Sequence, residues 1–162
     1  MESEKGTYRM SWKDWVITLY LTAAIVLMVF FAILDFNSMN NIPLVIIGII
    51  FGLIFLILGF SVRMVGIDYV NSSEFVSAGI YSLIRHPIYL SSIFLCLGLM
   101  FISQNLFSAF LAITTSFLFY SAMFAEENEC IEKFGDAYRD YMKLVPRMNL
   151  FIGIFRKFKQ KK

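Results

Sequence analysis

The residues best equipped for chemistry lie in Gly79-Ile80-Tyr81-Ser82-Leu83-Ile84-Arg85-His86-Pro87-Ile88-Tyr89, which sets the only histidine of the chain between an arginine and a proline where a hydrophobic run begins. Arg85 offers a planar donor fork for a carboxylate, and His86 adds a donor or acceptor near neutral pH. Pro87 suits the first turn of a helix and fixes where that helix starts. Taken singly, Arg85 reads as a charge anchor and His86 as a helix-end histidine. Lysine would anchor as well, however, and an anchor needs no frame of Tyr81 and Tyr89. Fixed charge is costly beside hydrocarbon, so the group as a whole marks a functional site, suited to the carboxylate of an amino-acid-like ligand.

Further along, Glu126 and Glu127 follow another hydrophobic run. Two adjacent carboxylates at that position need a cation or water to stay ionised. Either they are a solvated helix segment, or one of them turns back toward Arg85 and His86. In the second case it offers negative charge to a cationic ligand group and a base for a nucleophile.

The elements that must position these groups are membrane helices. Of 162 residues, 59% are hydrophobic and 16% charged, too apolar for an ordinary soluble domain. Trp15–Leu34 carries no charge and as a helix reaches about 30 Å, the thickness of a hydrocarbon core. Ile42–Val62 is a second such run, with Pro43 in its first turn and Gly48-x-x-x-Gly52 offering close helix packing within or between chains. Ile88–Ile102, the shortest, and Leu106–Ala125 complete four. The polar Ser103-Gln104-Asn105 between the last two predicts an antiparallel helical hairpin. Lys and Arg occur only before the first run, between the second and third (Arg63, Arg85), and after the fourth. The positive-inside rule then puts both termini, the 63–87 loop and the site on the cytoplasmic side. The polar N-terminus and long first run argue against a cleaved signal peptide. The expectation is therefore an all-α, multi-pass integral membrane protein forming one domain over residues 1–162.

After the fourth run, Ile131, Phe134, Tyr138, Tyr141, Met142 and Val145 recur at helical spacing and predict a cytosolic amphipathic helix ending at Pro146. It either lies flat on the membrane or folds over a cofactor as a lid. Gly135 inside it signals a bend or a close approach by another group. The final stretch, Phe151 to Lys162, mixes aromatics with cations and suits anionic lipid head groups. Cys96 and Cys130 lack metal or redox spacing and read as packing residues, and Asn71-Ser72-Ser73 has no glycosylation chemistry on the cytoplasmic side.

The joint pattern Gly79-x-Tyr81, Arg85-His86-Pro87-x-Tyr89, Glu126-Glu127, Phe134-Gly135-x-x-Tyr138-x-x-Tyr141 and Val145-Pro146 resembles the isoprenylcysteine carboxyl methyltransferase and phospholipid methyltransferase superfamily. The resemblance covers a motif-bearing core at 79–147. It implies S-adenosylmethionine as cofactor, with S-adenosylhomocysteine as product, bound between the Arg-His-Pro corner, the last two spans and the C-terminal segment. By that resemblance Tyr81, His86 and Tyr89 line the cofactor's methionine end, Tyr138, Tyr141, Val145 and Pro146 enclose its adenine, and Gly79, Pro87 and Glu126 complete the cofactor-binding set. Arg85 and Glu127 then stand at the reaction centre. The implied reaction is methyl transfer to a lipophilic acceptor, foremost an isoprenylcysteine-like carboxylate, with a phospholipid or other lipid amine as the alternative. Ala122 stands where the isoprenylcysteine branch commonly has arginine; either Arg63 or Arg85 offsets the loss, or the acceptor is a different one, such as a lipid amine. The partners implied are that acceptor and membrane lipids, with no nucleic acid and no metal; the oligomeric state stays open.

Two other classes compete. Membrane reductases using a nicotinamide cofactor share related helices, but the short chain and the Glu-Glu pair disfavour them. A four-helix transporter or scaffold would ordinarily place an ionisable group inside a span, and the four uncharged runs contain none.

Overall fold

The computed structural model describes residues 12–34, 41–69, 75 and 77–160. Lys5 and Arg9, Asn71-Ser72-Ser73 and the final Lys161 and Lys162 lie outside the described residues. In chain order the helices are α1 (Trp12–Leu34), α2 (Ile42–Tyr69), α3 (Pro87–Ser103), α4 (Leu106–Phe134), α5 (Asp136–Leu144) and α6 (Leu150–Gln160), with a 3₁₀ turn at Gly79–Ser82. No strand occurs among the described residues.

α3 is the central helix, packed against α2, α4 and α1. It starts at Pro87, as the proline predicts, with His86 as its N-cap residue. It ends at Ser103, followed by Gln104, whose positive φ of 50° turns the chain. The Gln104 side-chain amide donates to the Asn41 carbonyl at 2.9 Å, tying this turn to the start of α2. Asn105 caps α4 by accepting from the Phe107 N–H at 2.8 Å. Two residues therefore suffice to connect α3 and α4, which lie against one another.

Glycine decides how closely α2 and α3 approach. A methyl group on Gly48 would lie 2.7 Å from the Gly98 carbonyl oxygen, and one on Gly98 would lie 2.9 Å from that of Gly48. Gly48 is thus consumed by packing within the chain, whereas the corresponding space beside Gly52 is open. Ala24 and Met28 of α1, Cys96 of α3, and Leu111 and Ala112 of α4 form the adjoining core. The opposite faces are left uncovered: Ile57 of α2 and Phe117 of α4 are 65% and 68% exposed. Only 11% of the most apolar window of α2 is buried, which is the opposite of a core helix in a soluble protein. Among the described residues, α2 over Ile42–Val62 and α4 are long and apolar enough to cross a membrane; the apolar parts of α1 and α3 are shorter.

The amphipathic segment departs from the sequence expectation of one helix. With no helix breaker after Leu106, α4 continues unbroken to Phe134, about 43 Å at 1.5 Å per residue, well beyond a hydrocarbon core. The break falls at Gly135, where φ is 59° and ψ −132°. Among the described residues a side chain there would meet nothing within 4 Å, so the glycine serves a bend and not a close approach. The apolar stripe from Ile131 to Val145 is consequently divided between the end of α4 and α5.

Candidate active site

Glu127 is the centre of an ionic corner. One face of α4 carries it inward, where it is 3% exposed. Its Oε1 accepts from Arg147 Nε at 3.0 Å, and its Oε2 from Arg147 Nη2. The same Oε1 lies 3.1 Å from His86 Nε2 and 3.2 Å from Arg85 Nη1. The second ring nitrogen of His86, Nδ1, faces Glu126 Oε2 at 3.6 Å. One carboxylate does turn back toward Arg85 and His86, and its neighbour stands beside them with a side chain 46% exposed.

This corner joins three parts of the chain that are remote in sequence. The backbone supplies the seam: Arg85 N–H donates to the Pro146 carbonyl at 3.0 Å and His86 N–H to that of Arg147 at 3.2 Å. Proline 146 has no N–H to offer, but its carbonyl is free to accept. The Arg147 guanidinium also rests on the Phe124 ring, 4.0 Å from its centroid, a cation–π contact. Hydrogen bonding to Glu127 raises the Arg147 pKa above its ordinary value, so this cation stays charged. Arg85, by contrast, keeps a buried Nε–H with no hydrogen-bond partner among the described residues. A buried donor left in that state invites an acceptor.

Beside the ionic corner stands an aromatic cluster built from Phe75, Tyr138, Tyr141 and Val145. The Phe75 ring lies 5.3 Å from that of Tyr138, edge-on, and 5.2 Å from that of Tyr141. The Tyr141 hydroxyl donates to the Tyr81 carbonyl at 2.7 Å, fastening α5 to the 3₁₀ turn. Burial raises the pKa of Tyr138 and Tyr141, and burial together with Glu126 raises that of Tyr81, so all three phenols remain donors. A cleft of about 380 Å³ opens here, walled by Phe75, Ser82, Tyr141 and Val145 among others.

Of the residues singled out by sequence, the structure joins Arg85, His86, Glu126 and Glu127 in one network and Tyr138, Tyr141 and Val145 in a second. Tyr89 edges against His86, ring centroids 5.6 Å apart, and Pro87 is buried at the head of α3. Gly79 opens the 3₁₀ turn with φ 58°, a backbone role, and is itself exposed. Cys96 packs in the helical core, and Cys130 against the aromatic cluster. The Arg63 side chain lies outside the described residues. Two members were missed by sequence reasoning. Arg147 follows directly on the Val145-Pro146 motif, the one signal that was present; Phe75 stands in a polar stretch with no periodicity to flag it.

The sequence over residues 19–137 matches the family model described as phospholipid methyltransferase. No curated protein and no solved structure matches the chain.

Proposed function

Because this chain belongs to the phospholipid methyltransferase family, within the superfamily of membrane methyltransferases that includes the isoprenylcysteine enzymes, we propose that the ionic corner and aromatic cluster are an S-adenosylmethionine site serving methyl transfer to a lipid amine. The family carries the general activity: methyl transfer at a membrane to a lipid-type substrate. The reading extends it to residues 1–162 as one multi-pass domain, with α1 and α3 supplying two further crossings, α3 and α4 forming a membrane hairpin, and the site facing the cytoplasm.

The chemistry of the two halves suits this cofactor. The unpartnered Nε–H of Arg85 fits a carboxylate, as the methionine end requires. Tyr81, His86, Pro87 and Tyr89 would help to hold that end. The cleft beside Phe75, Tyr141 and Val145 suits a flat heterocycle, which Tyr138 and Pro146 would help to enclose. When bound, S-adenosylmethionine supplies an electrophilic methyl group on a sulfonium. The chain's own task is positioning in a water-poor corner, which alone contributes about 7–11 kcal/mol in favourable cases.

The two glutamates divide the work. Glu127 has both oxygens engaged by Arg147, Arg85 and His86, so its part is to hold those groups in place. Glu126 is the open carboxylate, reaching His86 and standing beside Tyr89, and it is placed to accept the proton that an amine loses on methylation. The observation that carries the choice of acceptor is that Arg147 is spent on Glu127, and Arg85 on Glu127 and the cofactor's carboxylate, while a second carboxylate, Glu126, stands half exposed. An isoprenylcysteine-like carboxylate, the acceptor first expected from resemblance, would want the reverse. Incubation of the purified protein with methyl-labelled S-adenosylmethionine and either phosphatidylethanolamine or a prenylcysteine tests this. Label in the lipid extract that survives base is expected; base-labile label confined to the prenylcysteine would overturn the choice of an amine, and no label with any lipid the activity itself.

A further inference from the structure

α6 presents two faces with different fates. Leu150, Gly153, Ile154 and Lys157 fall on the inner one. A methyl group on Gly153 would lie 1.9 Å from the Leu83 carbonyl oxygen, so only glycine lets the helix seat this closely on the loop leading to Arg85. Lys157 Nζ donates to Ser82 Oγ at 2.6 Å, and Arg156 Nη1 to the Lys143 carbonyl at the end of α5 at 3.1 Å. The outer face carries Phe151, Phe155 and Phe158 at spacings of four and three residues, 85%, 73% and 70% exposed. Among the described residues, nothing covers them.

We propose that the outer face of α6 seats on an anionic bilayer surface and that this seating steadies the Ser82–His86 loop of the candidate site. Charge commits the occupant: after Asp140 the chain holds Lys143, Arg147, Arg156, Lys157, Lys159, Lys161 and Lys162 and no acidic residue. Aromatic rings flanked by cations match the boundary between acyl chains and anionic head groups. Each basic residue near such a leaflet favours seating by about fivefold. A zwitterionic bilayer offers the aromatic term without that gain. The mechanical link is short, since the inner face that follows α6 onto the membrane is the one pressed on Leu83 and bonded to Ser82. Lipid composition thereby acts on Arg85 and His86 without any contact between lipid and the corner. The consequence for catalysis rests on the proposed site; the seating and its effect on the loop do not.

Hydrogen–deuterium exchange on the full chain tests it, in nanodiscs of phosphatidylcholine alone or mixed with phosphatidylglycerol. No methyl donor is present, so the readout is independent of whether the chain transfers methyl groups. Slower exchange in the anionic discs is expected both in α6 and at the Arg85 and His86 amides, reversed by high salt. Lys159→Glu, remote from the site, is expected to abolish most of the difference. Equal exchange of α6 in both discs would overturn the anionic seat, and protection of α6 without any change at Arg85 and His86 would overturn the link. Protection that follows protein concentration and not lipid charge would assign the face to a second copy of the chain and equally defeat the proposal.

Discussion

The ionic corner and the aromatic cluster lie side by side yet are held by opposite means. In the corner, three side chains from two separate segments converge on a single buried carboxylate of a third, so the loss of one partner strands charge among the others. In the cluster, Phe75, Tyr138 and Tyr141 share ring contacts of similar size, and each can be weakened without orphaning a neighbour. The corner should therefore fail abruptly and the cluster by degrees.

Glu127→Gln is expected to have the largest effect. It keeps the shape but leaves Arg85 and Arg147 facing a neutral amide, and breaking a buried pair in this way costs about 3 kcal/mol. Thermal denaturation in detergent should show that loss, with kcat and cofactor affinity falling together. Full stability would mean that the corner is more hydrated than its packing implies. Phe75→Ala comes next, at about 2 kcal/mol for a half-buried ring, below the range for a fully buried one. Since it also loosens the wall of the cleft, calorimetry with S-adenosylhomocysteine should register weaker binding. A stability loss exceeding that of Glu127→Gln would invert the comparison.

Smaller effects sharpen the same contrast. Tyr141→Phe removes only the bond to the Tyr81 carbonyl and should cost about 1 kcal/mol, with cofactor affinity altered less than by Phe75→Ala. Glu126→Gln should leave stability within about 0.5 kcal/mol, because its side chain is nearly half exposed, while kcat falls. Together the two variants would separate a group proposed to position from one proposed to meet the acceptor. Wild-type turnover in Glu126→Gln would remove it from proton transfer.

Sequence made the local features of this molecule legible and left the distant ones obscure. Pro87 announced the start of α3 because a proline's fixed φ and missing N–H act on its own helix. Gly135 announced the bend for a similarly local reason, although the rings on either side of it were read as one continuous helix. The turning of a glutamate toward Arg85 and His86 could be anticipated from charges at the same end of adjacent helices. Arg147 could not, since its partnership with Glu127 depends on an irregular stretch reaching back across the corner. Gly98 was equally silent: a lone glycine in an apolar run gives no hint that Gly48 lies against it. Phe75 took its place through contacts with α4 and α5, which no spacing in its own neighbourhood encodes.

The proposed site requires that the cofactor be held by the corner and cluster together. Isothermal titration of S-adenosylhomocysteine into the detergent-solubilised protein, beside His86→Ala of unchanged helix content, measures it directly. Binding by the wild type with affinity at least about tenfold lower in the variant, about 1.4 kcal/mol, is the predicted result. Equal affinity in the two proteins, or no binding by the wild type, would contradict it.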